Sequence, residues 1–145
     1  MGSERLPRSQ LRFESRGPRD TEAHGAAVAA TLAAGDIVLV YGELGAGKTT
    51  WVRGACQALG VSEIVRSPTF TLGRRYDGDV PVAHIDLYRL DSLAAEEPGL
   101  LEDYLDGAGV CFVEWPERGG DELAAATTRV RLSHRGGDGR LIEVL

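Results

Sequence analysis

Two stretches of consecutive apolar residues dominate the hydrophobic pattern of the chain. They are Asp36–Tyr41, which is apolar after its first residue, and Gly109–Val113. Turn-forming residues bound both stretches, and neither shows the alternation of a half-buried strand. Such a run is typical of a strand that is buried on both faces, as in a parallel sheet. We therefore predict two central strands.

Further helices and strands are predicted around these two runs. An alanine-rich helix spans Ala23–Ala34, with Asp20 or Thr21 as its N-cap and Gly35 at its end. A second helix spans Thr49–Leu59. The remaining predicted elements are an edge strand at Gln10–Ser15, two strands at Thr71–Tyr76 and Val80–Tyr88 around the turn Asp77-Gly78-Asp79, two short helices at Asp91–Glu97 and Pro98–Leu105, and a C-terminal hairpin of Thr127–Ser133 and Arg140–Leu145.

This order of elements predicts an α/β fold of three layers, with a mixed, mainly parallel central sheet. The length of 145 residues suits one domain with a single core. We assign residues 19–145 to that domain. Residues 1–18 are rich in arginine and polar side chains, and we expect them to form an N-terminal segment that is partly disordered.

The hydrophobic pattern also bears on the cellular compartment. No apolar run approaches the roughly 20 residues that a membrane helix needs, and residues 1–18 lack the apolar region of a secretory signal. Cys56 and Cys111 are far apart and outside any CxxC motif, so we expect two buried thiols rather than a zinc site or a disulfide. We expect a cytoplasmic protein that makes no membrane contact.

A glycine-rich segment joins the first buried strand to the second helix. It matches the pattern G-x-x-x-x-G-K-[ST] at every fixed position. Glycines allow the backbone to approach phosphates, and the N–H groups together with the positive end of the following helix attract an anion. A glycine-rich turn that matches by chance is the alternative, but the strand-to-helix context favours a phosphate loop. The segment reads Gly42-Glu43-Leu44-Gly45-Ala46-Gly47-Lys48-Thr49.

Charge and composition support this interpretation. Of 16 basic residues, 15 are arginine and one is lysine, and that lysine is Lys48. In a phosphate loop, Lys48 would reach the β and γ oxygens and the Thr49 hydroxyl would ligate Mg²⁺. The net charge of −6 disfavours unaided binding to nucleic acid. The sequence therefore predicts a nucleoside triphosphate site, most simply for ATP with Mg²⁺, and with it a P-loop NTPase fold.

Two carboxylates follow apolar strand segments and are candidates to complete that site. Asp86 follows Val82–Ile85, and Glu114 follows the second buried run. Ligand chemistry gathers at the carboxyl ends of strands in open α/β sheets, so both acids are expected to face the loop. Solvated strand-end carboxylates are the alternative. Thr69 is a candidate sensor of the γ-phosphate. The alternative is that it belongs to an ordinary loop, because Ser-Pro-Thr is common in loops.

Three other side chains receive weaker interpretations. Trp115 either packs over the site or belongs to the core. His84 is equally consistent with a buried, hydrogen-bonded strand histidine and with a catalytic one. His24 has no partner in the sequence pattern and is expected to be incidental.

Four motifs occur along the chain in a fixed order, namely Gly42 to Thr50, Ser67-Pro68-Thr69-Phe70-Thr71-Leu72, His84-Ile85-Asp86-Leu87-Tyr88-Arg89-Leu90 and Val113-Glu114-Trp115-Pro116-Glu117. Together they resemble one family, the bacterial TsaE proteins. The resemblance covers about Thr21 to Arg118, and the combination of the last three motifs is specific to that family.

The resemblance implies an ATPase subunit of tRNA modification. Its partners would be TsaB and TsaD, a pair that transfers a threonylcarbamoyl group to the adenosine 3′ of the anticodon in tRNAs reading ANN codons, and tRNA would be contacted only indirectly. The motif and the resemblance together assign Lys48, Thr69, Asp86 and Glu114 to catalysis, Thr21, Gly42, Glu43, Gly45, Ala46, Gly47, Lys48, Thr49 and Thr50 to nucleotide binding, and Thr49, Asp86 and Glu114 to Mg²⁺.

Two other functions use the same loop. A small metabolite kinase would add an arginine-bearing lid, and Arg74, Arg75 and Arg89 are present without an obvious lid segment. A regulatory module would bind a nucleotide without hydrolysing it. A guanine-specific switch is disfavoured, because the chain has no Asn-Lys-x-Asp motif and its single lysine lies in the loop.

Overall fold

The computed structural model describes residues 6–68, 72–88, 100–119 and 123–145. Within these ranges no helix is long and apolar enough to cross a membrane. The helices are α1 (Arg8–Leu11), α2 (Pro18–Ala29), α3 (Lys48–Ala58) and α4 (Leu100–Tyr104), with a 3₁₀ turn at Pro116–Arg118. The strands are β1 (Arg12–Ser15), β2 (Ile37–Gly42), β3 (Gly73–Tyr76), β4 (Val82–Asp86), β5 (Val110–Glu114), β6 (Thr128–His134) and β7 (Arg140–Val144).

The described strands form one seven-stranded sheet in the order β1-β7-β6-β2-β5-β4-β3. The four central strands β6, β2, β5 and β4 are parallel, and antiparallel pairs lie at both ends. The mixed, mainly parallel sheet is therefore confirmed, as are the two hairpins. The predicted helix Asp91–Glu97 lies outside the described residues.

Side chains pack on both faces of the sheet, which gives the three layers. Along β2, Val38 and Val40 join Trp51 of α3 in one apolar cluster, whereas Leu39 joins Leu101 of α4 in another. All five are nearly inaccessible to solvent. The continuous apolar runs reflect this two-sided burial, since neither face of the central strands is left for polar residues.

Helix α2, which was predicted at Ala23–Ala34, differs from its prediction at both ends. It begins at Pro18, whose ring suits a first helical turn, and Asp20 inside that turn accepts a hydrogen bond from the Arg16 N–H at 2.9 Å. It ends at Ala29 instead of Ala34, because the Thr31 N–H and hydroxyl both bond to the Val28 carbonyl and close the turn. Local side-chain bonds override alanine propensity here.

Residues on the N-terminal side of the predicted boundary at 18/19 contribute to the sheet. β1 pairs antiparallel with β7, from Arg12 opposite Glu143 to Ser15 opposite Arg140. The predicted strand at Gln10–Ser15 is shorter than expected, since α1 extends through Leu11. β1 forms one edge of the described sheet.

The two cysteines behave as predicted from their spacing. Cys56 and Cys111 are free and buried, one on each side of the sheet. Burial raises the pKa of each thiol to about 12, so neither forms a thiolate at neutral pH.

His24 connects three elements, and the expectation that it is incidental is wrong. It is 1% exposed, and its Nδ1 accepts a hydrogen bond from the Trp51 indole N–H at 2.9 Å. The proton therefore resides on Nε2, which donates to the Gln10 carbonyl at 2.7 Å. A neutral ring thus links α2 to α3 and to the N-terminal segment.

We expect His24 to make the fold less stable as pH drops below about 6.5, the usual pKa of an exposed histidine. Burial lowers the pKa of His24 in the folded chain, against the opposing effect of the Gln10 bond. Below about pH 6.5 the unfolded chain binds a proton at His24 that the folded chain does not bind. The stability that neutral His24 contributes is therefore complete above about pH 6.5 and is lost as the pH falls towards the pKa of the folded state. Urea unfolding should show that the free energy of unfolding falls less steeply in His24→Gln than in the wild type between about pH 7.5 and about pH 5.5. Equal slopes in the two proteins would contradict this role of His24.

Candidate functional site

The glycine-rich segment joins the carboxyl end of β2 to the first turn of α3, as its motif requires. Gly45 and Gly47 have φ values of 78° and 98°, a region that residues with a Cβ rarely adopt. Lys48 is the first residue of α3. The N–H groups of that turn have no partner within the helix, and they point with the positive end of the helix dipole towards the loop.

The Lys48 ammonium lies inside the loop. It donates to the carbonyls of Gly42 at 2.7 Å and Glu43 at 2.9 Å, and the side chain is 5% exposed. Burial lowers the pKa of Lys48, while the nearby carboxylates of Glu114, Asp86 and Glu117 act in the opposite direction. The structure thus holds a partly desolvated cation at the position where phosphates are expected.

Glu114 lies at the centre of a buried hydrogen-bond network. Its Oε2 accepts from the Thr49 hydroxyl at 2.9 Å and from His84 Nε2 at 2.6 Å. Both His84 and Glu114 are nearly inaccessible to solvent. His84 is therefore a hydrogen-bonded strand histidine that fixes the carboxylate of Glu114, and its Nδ1 has no partner among the described residues.

Asp86 lies beside Glu114 in the sheet, because the two residues are opposite each other in the β4–β5 register. Its Oδ2 accepts from the Ser67 hydroxyl at 2.8 Å and its Oδ1 from the Tyr88 N–H at 2.9 Å. Asp86 thus connects the Ser-Pro-Thr motif to the strand ends. Thr69, the candidate sensor in that motif, lies outside the described residues.

Trp115 covers the lysine. Its ring centroid lies 4.3 Å from Lys48 Nζ, and its backbone has a φ of 57°, which is uncommon for a residue with a Cβ. The Tyr88 ring packs against the indole at 4.9 Å, and the Arg118 guanidinium lies 5.6 Å from the Tyr88 ring. Trp115 fits both of its interpretations, because it lies over Lys48 and also packs against the apolar cluster that contains Leu39 and Leu101.

A comparison with known proteins decides the family. The family described as threonylcarbamoyl adenosine biosynthesis protein TsaE matches residues 15–142. The chain belongs to the TsaE family. The TsaE protein of Bacillus subtilis is 38% identical over 134 residues, covering 92% of this chain and 84% of that protein. The TsaE protein of Treponema pallidum is 39% identical over 130 residues, covering 84% and 90%.

A solved structure agrees with this membership. The crystal structure of Bacillus subtilis YdiB superposes with a TM-score of 0.76 at 34% identity, covering 91% of this chain and 82% of that one. The relatives from both organisms are named tRNA threonylcarbamoyladenosine biosynthesis protein TsaE. The fold and the family predicted from the sequence are confirmed.

The remaining predicted nucleotide contacts of this TsaE-family chain are distributed around the loop. Thr21 is buried in α2 with its hydroxyl 2.7 Å from the Ser15 hydroxyl, and its methyl would lie 3.8 Å from a Cβ at Gly47. Thr50 is half-buried in the first turn of α3, whereas the Glu43 side chain is exposed. Thr21 therefore borders the loop but does not act as an N-cap.

The oxygen atoms at the site fit Mg²⁺. Thr49 and Glu114 supply a hydroxyl and a carboxylate in contact, and Asp86 lies on the next strand. No group of three or more histidine, cysteine or acidic side chains able to hold a metal occurs in the described part of the chain. Mg²⁺ suits such a sparse set, because it keeps several waters and binds substrate phosphates with one or two carboxylates.

One contact to the loop was missed by sequence reasoning. Arg140, the first residue of β7, donates from Nε to the Ala46 carbonyl at 3.0 Å and from Nη2 to the Gly45 carbonyl at 3.1 Å. Arg140 is one of fifteen arginines and belongs to no local motif, so the sequence does not single it out.

Proposed function

We propose that this protein is a Mg²⁺-dependent ATPase subunit required for forming threonylcarbamoyladenosine in tRNA. The observation that carries the proposal is the contact between the Glu114 carboxylate and the Thr49 hydroxyl beside a complete phosphate loop, in a member of the TsaE family. The relatives' names support the pathway. The loop and its acids support ATP hydrolysis as the contribution of this chain.

Each residue of the site has its own role in the proposed hydrolysis of ATP. The loop N–H groups bind the phosphates, and Lys48 leaves its two carbonyl partners to contact the β and γ oxygens. Glu114, fixed by His84, orients the attacking water or takes its proton. Mg²⁺, when bound at Thr49 with Glu114 or Asp86, supplies positive charge that offsets the developing negative charge on the phosphates. Thr69 is proposed to sense the γ-phosphate.

We propose TsaB and TsaD as the partners and expect slow hydrolysis by the chain alone. A net charge of −6 gives little attraction to the phosphates of tRNA, which supports indirect contact with tRNA through the partners. The transfer to the adenosine 3′ of the anticodon, in tRNAs reading ANN codons, is assigned to those partners. ATP turnover here would reset or drive their cycle.

The test is a reconstituted reaction over many turnovers. TsaB, TsaD, a threonylcarbamoyl donor and an ANN-decoding tRNA are combined with or without this chain, and with ATP or a non-hydrolysable analogue. Modified adenosine and released phosphate should both require the chain and ATP. Equal modification without the chain would overturn the proposal. Phosphate transferred to a small molecule would indicate a kinase, and full activity with the analogue would indicate a regulatory module.

A further inference from the structure

The Arg140 guanidinium is satisfied almost entirely by backbone carbonyls. Besides the bonds to Gly45 and Ala46, Nη1 donates to the carbonyls of Gly137 at 2.8 Å and Gly139 at 2.7 Å. The side chain therefore joins the turn of the C-terminal hairpin to the centre of the phosphate loop. No feature of the proposed ATPase chemistry requires these four bonds.

These bonds fix the orientation of two successive peptide planes. In a trans peptide the C=O of one residue and the N–H of the next point in opposite directions, and no described bond is cis. Holding the Ala46 carbonyl turns the Gly47 N–H away from Arg140. Holding the Gly45 carbonyl turns the Ala46 N–H away as well, and that N–H donates to the Glu43 carbonyl at 3.0 Å.

The loop needs such a constraint because of its glycines. Gly45 and Gly47, on either side of Ala46, adopt positive φ, and glycine populates many other conformations at little cost. A Cβ placed at Gly45 would meet no atom within 4 Å, so packing around that residue restricts it little. A loop that must be ordered on binding loses affinity relative to one that is already ordered.

We propose that Arg140 is a positioning residue that preorganises the phosphate loop, so that the C-terminal hairpin is a working part of the nucleotide site. This inference rests on the proposed nucleotide binding. Its ligand class is any diphosphate or triphosphate, because the Gly47 N–H, which the bond to the Ala46 carbonyl turns away from Arg140, would contact phosphates common to ADP and ATP. Arg140 does not touch the phosphates and acts through the peptide planes.

Three variants separate positioning from charge and from simple stability. Arg140→Gln removes the charge and the planar fork, and Arg140→Lys keeps the charge on a single nitrogen that cannot reach the loop carbonyls and the hairpin carbonyls at the same time. Leu141→Ala is the matched control, because Leu141 is buried and, as the next residue of β7, lies on the opposite face of the sheet from Arg140, so its truncation loosens the strand and leaves the Arg140 bonds in place. Affinities for ATP, ADP and inorganic pyrophosphate are measured by calorimetry, with thermal melting of the nucleotide-free protein alongside.

We expect both Arg140 variants to bind ATP, ADP and pyrophosphate about 10-fold more weakly. The loss corresponds to roughly one hydrogen bond to a charged group, and it should be similar for the three ligands. Leu141→Ala should lower the melting temperature and keep wild-type affinity. Wild-type affinity in Arg140→Gln or Arg140→Lys, or an equal loss in Leu141→Ala, would overturn the inference. A loss for nucleotides but not for pyrophosphate would show that Arg140 contacts the base or ribose. A wild-type chain that binds no phosphate ligand would instead refute the proposed function.

Discussion

Lys48→Met is expected to weaken ATP binding by roughly 10- to 100-fold. A hydrogen bond to a charged group contributes about 1.5–3 kcal/mol, and each 1.4 kcal/mol is a tenfold change in affinity. Methionine keeps an unbranched stem against the Trp115 ring, 4.3 Å from the ammonium in the wild type, but it lacks the charge and the donors. Isothermal calorimetry with ATP and ADP provides the measurement.

The fold should survive this substitution. The two carbonyls that lose their donor belong to Gly42, which is partly accessible, and Glu43, which is exposed, so water can replace the ammonium. Lys48→Arg is the companion variant, since it keeps the charge in a planar group that does not fit a loop shaped for an ammonium. ATP affinity within threefold of wild type in Lys48→Met, with unchanged melting, would show that Lys48 does not bind phosphate.

Glu114→Gln is expected to reduce ATP turnover by roughly 100-fold or more while ATP binding is retained, the scale associated with loss of a general base. The amide oxygen can still accept from the Thr49 hydroxyl and from His84 Nε2, so the buried network keeps its hydrogen bonds. The variant therefore isolates the carboxylate charge. Single-turnover hydrolysis at saturating ATP and Mg²⁺ measures the chemical step apart from binding.

Glu117→Gln is the matched control for this prediction. Glu117 is an exposed carboxylate three residues further along, close enough to influence Lys48 electrostatically. We expect its turnover to stay within about threefold of wild type, because an exposed charge near the site is screened by water. Similar losses in both variants would assign the effect to general electrostatics, and unchanged turnover in Glu114→Gln would make Glu114 a structural residue.

Local sequence signals were sufficient for the elements that follow simple periodicities or a contiguous motif. The buried strands β2 and β5 were predicted because continuous apolar runs occur where both faces of a strand are covered. Helix α3 and the loop before it were predicted because every fixed residue of the loop motif lies within eight consecutive positions. The predicted ends of α2 were wrong, because Pro18 begins the helix ahead of the expected N-cap and the bond from Thr31 to the Val28 carbonyl closes it early.

The sequence by itself determined that the chain carries the motif of a phosphate loop, that two acids follow buried strands and that it resembles the TsaE family. Each of these signals consists of residues that are close together along the sequence. Tertiary structure alone decided that Glu114, 65 residues from Thr49, is the acid that contacts its hydroxyl, and that Arg140, 94 residues from Ala46, donates a hydrogen bond to the loop. Such contacts depend on which strands become neighbours, and strand order arises from the packing of the whole sheet rather than from any local pattern.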